Sequence, residues 1–364
     1  MTVSVQEIDL LHEVAARFSR EAQRADVREY GSGNINKTYL VTPEGEVEAP
    51  FLLQRLNTVV FQQPELVMQN IGAITRHLDA QCASVGRRWE VPHVLLTNDG
   101  ADHVRTPDGA YWRALRFIGR SRTVDVVRDP ELAREVGFAL GTFHALLSEH
   151  PPEGLADTLP GFHIAPAYLA HYDEVARGAV KPDSPEVDWC ARFVAENRHW
   201  VPVLEQAREQ GLLRLRPIHG DPKVNNILFD ETTGQAIGMV DLDTVKPGLV
   251  QYDIGDCLRS SCNPHGEETD DWRAVHFDPV LGKAVLEGYL EVARGFFAPA
   301  DFDYIPESAR LIAFELGLRF FTDHLAGDVY FKVARPGQNL ARALVQFRLA
   351  ESIDAHFDEL KAIV

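Results

Sequence analysis

A polar segment set between short apolar strands constrains the fold of this chain more than any other feature. The segment spans 219–226, and a predicted approach strand over 213–218 leads into it. A second strand is predicted over 227–229, and after a glycine-containing turn a third over 237–240 stops at Asp241. Polar side chains therefore lie at the ends of two paired strands, which hold them rigidly at an edge of the core.

The residue types at these strand ends indicate phosphoryl transfer. Asp221 and Asn226 stand five positions apart, and Asp241 follows the next hairpin. Such a trio supplies one carboxylate to orient an attacking hydroxyl, with an amide and a second carboxylate to hold Mg²⁺ through oxygen. Each feature alone is also typical of turns and solvated strand ends. The combination, in this order, favours the catalytic interpretation.

The same residues resemble the aminoglycoside phosphotransferase and choline kinase-like superfamily, whose members are relatives of the protein kinases. The positions that match its motifs are His219, Gly220, Asp221, Asn226, Asp241 and Tyr252-Asp253-Ile254-Gly255. Further blocks resemble the bacterial N-acetylhexosamine 1-kinases more closely, and the likeness extends over 28–350. These blocks are 30–36, 51–57, 240–245, 318–323 and 329–332.

The resemblance implies an α+β, bilobal, protein kinase-like fold with a small strand-rich N-lobe and a larger, mainly helical C-lobe. We place a nucleotide-binding lobe at 1–118 and a catalytic and substrate-binding lobe at 119–364. Hydrophobic periodicity and capping residues agree with this plan. Strands are predicted over 51–56 and 112–118, and helices over 5–18, after Pro64, from Asp129-Pro130, over 311–325 and over 339–362.

A glycine-containing segment is predicted to turn above the nucleotide triphosphate, where glycine lets backbone N–H groups approach phosphate oxygens. Its residues are Gly31, Ser32, Gly33 and Asn34. Asn36 stands where a complete kinase-type loop has a third glycine. The strand that normally carries a phosphate-binding lysine has Gln54 and Arg55 instead, and strand alternation lets only one of them face the cleft. We expect Arg55 to contact phosphate; the alternative is a surface arginine.

The resemblance assigns roles within the catalytic segment. Asp221 is the expected catalytic residue, accepting a hydrogen bond from the substrate hydroxyl and later its proton. Asn226 and Asp241 are the expected Mg²⁺ ligands. His219 and Asp253 are expected to hold the loop by hydrogen bonding rather than to act as bases. Asp243 would share a face with Asp241 in a continued strand, as a supporting residue or a turn residue.

Arg319 and Tyr330 match sugar-contacting positions of the N-acetylhexosamine 1-kinases, which implies that they bind the acceptor. Two structural alternatives stay open. Glu315, Arg319 and Asp323 are spaced by four, so they could form a surface ion-pair ladder along a helix. Tyr330 could be a core residue.

Composition limits the partners. The formal net charge, 36 minus 54 or −18, argues against nucleic-acid binding. It suits a cationic substrate such as an aminoglycoside, or it simply keeps the protein soluble. No apolar run approaches the roughly 18 residues of a membrane span, and a secretory leader pattern is absent. We expect a cytoplasmic protein without membrane partners, and leave open whether it is a monomer or a dimer.

The expected function is an ATP-dependent sugar kinase. It would transfer the γ-phosphoryl group to the anomeric hydroxyl of N-acetylglucosamine or N-acetylgalactosamine, giving the sugar 1-phosphate. One alternative is a kinase of the same fold for an aminoglycoside, choline, homoserine or a plain hexose. Another is a non-catalytic nucleotide-binding regulator, which the absent lysine suggests. The sequence leaves open ATP versus GTP and the configuration at the sugar C4 position.

Overall fold

The computed structural model describes residues 5–31, 35–44, 49–178 and 184–364. Within them, an antiparallel sheet occupies the N-terminal part and helices dominate the remainder. The predicted α+β architecture is confirmed.

The N-terminal sheet has the strand order β1-β2-β3-β6-β4, and β5 also pairs with β6. Its strands are β1 Asp26–Glu29, β2 Lys37–Thr42, β3 Phe51–Leu56, β4 Val94–Leu95, β5 Val104–Arg105 and β6 Tyr111–Arg116. One face of the sheet packs with helix α1, Val5–Phe18, in a small apolar cluster that includes Leu11, Leu53 and Trp112. The strand predicted over 112–118 begins one residue earlier and ends two residues sooner.

Helix α2, Pro64–Gln81, follows the third strand, as the sequence predicts. It buries Val67, Ile71 and Ile74 in the larger apolar cluster, together with residues from the helical part of the chain. The helix therefore packs against the helical part of the chain as well as against the N-terminal sheet. The division at 118/119 stays a prediction.

The rest of the chain is mainly helical. The helices are α3 Pro130–Leu147, α4 Ala165–Gly178, α5 Pro185–Asn197, α6 Val203–Glu209, α7 Val250–Ser261, α8 Pro279–Ala293, α9 Pro299–Asp303, α10 Ile305–Ala326, α11 Gln338–Ala355 and α12 Phe357–Ile363. Among the described residues, none of the helices combines the length and apolar character needed to cross a membrane.

Helix boundaries follow the local capping chemistry. The Asp129 carboxylate accepts the backbone N–H of Leu132 at 2.8 Å, with Pro130 in the first turn, which confirms the predicted start of α3. Helix α10 ends at Gly327, whose left-handed φ of 93° closes the helix. The single helix predicted over 339–362 is wrong in one respect, because the chain breaks at His356 into α11 and α12.

Short strands inserted among the helices form the scaffold of the polar segment. They are β7 Ser121–Arg122, β8 Arg216–Ile218, β9 Ile227–Asp230, β10 Ala236–Met239 and β11 Lys246–Gly248. The order of one sheet is β10-β9-β7, and β8 pairs with β11. The predicted hairpin is confirmed as β9 and β10, whereas the approach strand is shorter than predicted.

Candidate active site

The hairpin of β9 and β10 brings Asn226 and Asp241 together. The backbone N–H of Val240 donates to the carbonyl of Asn226 at 2.9 Å, so the two predicted metal ligands lie at the same end of the hairpin. Asp241 adopts a left-handed backbone (φ 64°, ψ 56°), and a short 3₁₀ turn, Leu242–Thr244, follows it. This conformation is uncommon for a residue with a side chain, although Asp tolerates it better than most.

The structure places Asp243 in the 3₁₀ turn and not in a continued strand, in agreement with the turn-residue alternative. Because β10 ends at Met239 and the backbone of Asp241 is left-handed, the two carboxylates do not share a strand face. Asp241 is exposed, whereas the side chain of Asp243 is only 2% exposed. Asp243 therefore lies behind the turn that presents Asp241.

The side-chain amide of Asn226 binds the loop that carries Asp221. Its Nδ2 donates to the backbone carbonyl of Asp221 at 2.8 Å and lies 3.3 Å from the Asp221 carboxylate. An amide used in this way as a donor keeps its Oδ1 as an acceptor for another ligand. The structure thus joins Asp221 and Asn226 in one unit.

Lys223, which the sequence reasoning missed, also belongs to this unit. Its Nζ donates to the Asp221 carboxylate at 2.7 Å. Although burial opposes a charged amine, the carboxylates of Asp221 and Asp241 raise the pKa of Lys223 above its ordinary value. The sequence signal that could have identified Lys223 is a basic residue two positions after Asp221.

Asp253 fixes the backbone of the loop that carries Asp221, which is the geometry that a loop-holding role requires. Its two carboxylate oxygens accept the backbone N–H groups of His219 at 2.6 Å and Gly220 at 2.9 Å. His144 Nε2 lies 2.9 Å from the same carboxylate, inside the core. Burial alone would raise the pKa of Asp253, but the contact with His144 and these N–H groups hold it below its ordinary value.

His219 is buried with its ring between two backbone groups. Nε2 donates to the Val240 carbonyl at 3.0 Å, and Nδ1 accepts the backbone N–H of Asp221 at 3.3 Å. This pattern assigns the neutral ring with its proton on Nε2. Burial lowers the pKa of His219, in agreement with that assignment. The geometry supports the loop-holding role expected of His219.

Gly220 lets the loop pack against the turn after Asp241. Its φ of 83° is left-handed, and a Cβ there would lie 2.6 Å from the carbonyl oxygen of Thr244. The Thr244 hydroxyl donates to the carbonyl of His219 at 2.7 Å. Glycine is required at this position both by the backbone angle and by the close approach.

The clustered carboxylates fit a bound cation. Although part of Asp241 is exposed to solvent, the protein packed around its carboxylate desolvates it, and this desolvation, with the neighbouring carboxylates of Asp243 and Asp221, raises the pKa of Asp241 to about 7. A cation beside Asp241 would relieve this repulsion, and the free oxygen of Asn226 is a second ligand of the type Mg²⁺ prefers. The donor set therefore fits a magnesium ion that also takes water and phosphate oxygens.

The N-terminal sheet contributes a second network. Gln54 of β3 is paired with Arg113 of β6, and the Gln54 side-chain oxygen accepts from Arg113 Nε at 2.9 Å and Nη2 at 2.7 Å. Arg113 Nη2 also lies 2.6 Å from an oxygen of Asp243. Asn36 Nδ2 donates to the other oxygen of Asp243 at 2.6 Å. No pattern in the sequence singled out Arg113, because its partners are distant along the chain.

Arg55 is not brought to this network. It lies on the opposite face of β3 from Gln54, near Trp112, and pairs with Asp108 at 3.5 Å on the surface. Strand alternation sends Gln54 towards Asp243, so the placement of Arg55 favours the surface-arginine alternative. Gly31 has a left-handed φ of 78° between the paired strands β1 and β2, whereas Ser32, Gly33 and Asn34 lie outside the described residues.

Arg319, on α10, lies in a cage of aromatic rings from other parts of the chain. Its guanidinium carbon is 4.9 Å from the ring centre of Tyr168, 5.2 Å from that of Phe162 and 5.4 Å from that of Phe331. The surface ion-pair ladder is wrong, because Glu315 and Asp323 are both buried and bound elsewhere. Within the described parts of the chain, no carboxylate forms an ion pair with Arg319.

Tyr330 is 65% exposed, so it is not a core residue. It lies beside the Arg319 cage, with its ring centre 4.8 Å from that of Phe331. Asp323 holds this segment by accepting the backbone N–H groups of Val329, Tyr330 and Phe331 at 2.8–2.9 Å.

A buried histidine connects the helix of Arg319 to the loop that carries Asp221. His163 Nε2 lies 2.9 Å from the carbonyl of Gly220, and its Nδ1 lies 3.1 Å from the carboxylate of Glu315, one helical turn before Arg319. Both neighbours are hydrogen-bond acceptors, so both ring nitrogens carry a proton. His163 was not recognised in the sequence, since its partners are 57 and 152 residues away.

Comparison with known families agrees with this geometry. The sequence profile of the phosphotransferase enzyme family (APH) matches residues 26–290, which include the N-terminal sheet, the catalytic loop and Asp253. The chain belongs to this family. Superfamily membership, predicted from the motif residues, is confirmed; the closer likeness to N-acetylhexosamine 1-kinases stays a proposal.

Solved structures share the fold of this phosphotransferase. It is similar to a choline kinase from Cryptosporidium parvum Iowa II, with a TM-score of 0.62, 13% identity and 98% of each chain covered. It is also similar to an aminoglycoside phosphotransferase from Alicyclobacillus acidocaldarius, with a TM-score of 0.59, 16% identity and 96% and 95% of the two chains covered. At such identities the likeness establishes the protein kinase-like fold.

Proposed function

We propose that this phosphotransferase is an ATP-dependent kinase that phosphorylates the anomeric hydroxyl of an N-acetylhexosamine. The observation that carries the proposal is the joining of Asp221 to Asn226, Lys223 and the Asp241 turn in one rigid unit. A base for the acceptor and ligands for the metal then occupy fixed relative positions. Phosphoryl transfer depends chiefly on such positioning and on charge stabilisation.

In the proposed reaction, Asp221 accepts a hydrogen bond from the acceptor hydroxyl and orients its oxygen towards the γ-phosphorus. The new P–O bond forms as the bond between the γ-phosphorus and the bridging oxygen breaks, and the hydroxyl proton moves to Asp221. Lys223 donates a hydrogen bond to the Asp221 carboxylate and so fixes its position. Asn226 and Asp241 would hold Mg²⁺, which when bound neutralises charge on the β- and γ-phosphates.

The acceptor side supports a neutral substrate over a cationic one. A cage of three aromatic rings is the type of site that binds choline-like or other organic cations. Here the guanidinium of Arg319 already occupies the cage. A cationic aminoglycoside or choline would meet like charge, whereas a carbonyl or hydroxyl oxygen of an N-acetylated sugar would find hydrogen-bond donors.

The position of Arg319 relative to the catalytic loop supports its role as an acceptor ligand. Phe162, one wall of the cage, precedes His163, which bonds the carbonyl of Gly220 next to Asp221. Tyr330 stands exposed at the edge of the same cage. We therefore assign Arg319 and Tyr330 to sugar binding, in agreement with the resemblance at 318–323 and 329–332.

ADP release from Mg·ATP with a panel of acceptors tests the proposal. The panel holds N-acetylglucosamine, N-acetylgalactosamine, glucose, galactose, kanamycin, choline and homoserine, with Asp221→Asn as the blank. Turnover confined to the N-acetylated sugars is the expected result. Turnover on kanamycin or choline instead would contradict the acceptor assignment, and nucleotide binding without turnover on any acceptor would favour a regulator.

A further inference from the structure

The Asp243 carboxylate is held by two residues from the N-terminal sheet. One oxygen lies 2.6 Å from Nη2 of Arg113, and the other accepts from Asn36 at 2.6 Å. Asn36 is fixed in turn, because its side-chain oxygen accepts the backbone N–H of Asn57 at 2.9 Å. Asp243 itself belongs to the 3₁₀ turn that begins directly after Asp241.

The guanidinium of Arg113 is buried, with Nε and Nη2 in this network and Nη1 4.0 Å from the sulfur of Met68. Its side chain is 1% exposed, and Nε and Nη2 share the side-chain oxygen of Gln54. Gln54 is itself oriented by a 3.0 Å hydrogen bond from its Nε2 to the Thr38 hydroxyl. Arg113 is thus too enclosed to contact a phosphate directly, and its charge is directed at Asp243.

A buried ion pair rarely adds stability over an apolar pair of similar size, so its presence calls for another reason. This pair connects β6 to the turn that carries Asp241, over 130 positions of sequence. Arg113 also contacts Gln54, which lies on β3, the strand that carries a phosphate-binding lysine in the wider kinase pattern.

We propose that Arg113 is a positioning residue for Mg·nucleotide: through Asp243 it fixes the turn 242–244 and so the orientation of the Asp241 carboxylate. The Gln54–Arg113–Asp243 network joins the N-terminal sheet to the turn that follows Asp241. The inference rests on the proposed metal-binding role of Asp241 and is independent of the acceptor.

The test compares the binding of ADP with and without Mg²⁺ by calorimetry, so no acceptor or turnover is needed. Arg113→Gln alone leaves Asp243 buried and unpaired and can unfold the protein. The double variant Arg113→Gln/Asp243→Asn removes both charges at once, and Asn36→Ala removes the second contact without exposing a buried charge. Arg116→Gln is the matched control, since Arg116 lies on the same strand with its side chain 54% exposed.

In wild type and Arg116→Gln, we expect Mg²⁺ to strengthen ADP binding. In the folded double variant, MgADP affinity should fall about 10- to 100-fold while metal-free ADP affinity changes about twofold or less, as for residues that orient metal ligands. Asn36→Ala should shift in the same direction by a smaller factor.

Two results overturn the inference alone: unchanged MgADP affinity in the folded double variant, or equal losses of affinity with and without Mg²⁺. The first result would mean that the Arg113–Asp243 pair has a purely structural role. The second would mean that it stabilises the nucleotide-binding cleft whether or not Mg²⁺ is bound. If Mg²⁺ does not change the ADP affinity of the wild-type protein, the proposed metal site and this inference are overturned together.

Discussion

Asn226 donates its side-chain amide to the backbone carbonyl of Asp221 at 2.8 Å, so a proposed metal ligand also sets the position of the proposed base. Asn226→Ala should therefore damage both functions at once. We expect kcat to fall about 10- to 100-fold, with a higher Mg²⁺ concentration needed for half-maximal rate. Asn225→Ala, which changes the adjacent amide, serves as the control. Loss of rate without any change in Mg²⁺ dependence would remove Asn226 from the metal site.

Asp221→Asn should separate binding from chemistry. The amide is close in size to the carboxylate, but it cannot take the proton from the acceptor hydroxyl. We expect kcat to fall by about 10²- to 10⁴-fold, with MgADP affinity close to that of the wild type. Steady-state rates and nucleotide titration measure the two effects. A variant with near-normal kcat would contradict the catalytic assignment.

Arg319→Ala should act on the acceptor and not on the nucleotide. Loss of this half-buried donor to a substrate oxygen should raise the acceptor KM roughly 10-fold or more, since hydrogen bonds to charged groups contribute about 1.5–3 kcal/mol. The KM for ATP should stay unchanged. Arg319→Lys should recover part of the loss, because it keeps the charge without the planar guanidinium.

Arg348→Ala is the control for that series, because the Arg348 side chain on α11 is 39% exposed and forms a surface ion pair with Glu351. Equal increases in both KM values for Arg319→Ala would indicate general disruption of the helical part and count against an acceptor role.

Stability should depend on pH through His163. Burial alone would lower the pKa of His163, but the adjacent carboxylate of Glu315 outweighs it and raises the pKa above the ordinary value of 6.5. The stabilisation from the charged ring is fully present below pH 6.5 and is lost as the pH rises through the raised folded-state pKa.

His163→Asn removes the titrating ring and tolerates the left-handed φ of 65° at this position. We expect the Tm of the wild type to exceed that of the variant most at pH 6. The gap should narrow by roughly 1–2 °C in more alkaline buffer, equivalent to about 1 kcal/mol for a chain of this length. Thermal unfolding at a series of pH values measures this gap. A gap that is constant or widens with pH would show that His163 is neutral in the folded protein.

Local patterns were sufficient for the parts of the fold that depend on neighbouring residues. Turn and capping chemistry accounts for the β9–β10 hairpin, for the start of α3 at Asp129 and for the end of α10 before Gly327. The catalytic segment was also recognisable, because Asp221 and Asn226 lie on one continuous stretch of chain.

Long-range pairings could not be predicted in the same way. Arg113 and His163 gain their roles only from partners that the fold brings close, and neither has a distinctive sequence neighbourhood. For Asp243 the sequence left a supporting residue and a turn residue open, because strand alternation alone does not show where β10 ends. The left-handed backbone of Asp241 is enforced by the surrounding turn and is not signalled by its residue type.

The most direct test of the proposed reaction identifies which hydroxyl receives phosphate. N-acetylglucosamine and N-acetylgalactosamine are each incubated with Mg·ATP, and ADP formation is compared with the loss of reducing ends. Phosphorylation at the anomeric hydroxyl blocks the reducing end, so we predict that one reducing end disappears for each ADP formed. ADP formation with the reducing ends intact would place the phosphate on another hydroxyl and contradict the proposed 1-kinase activity.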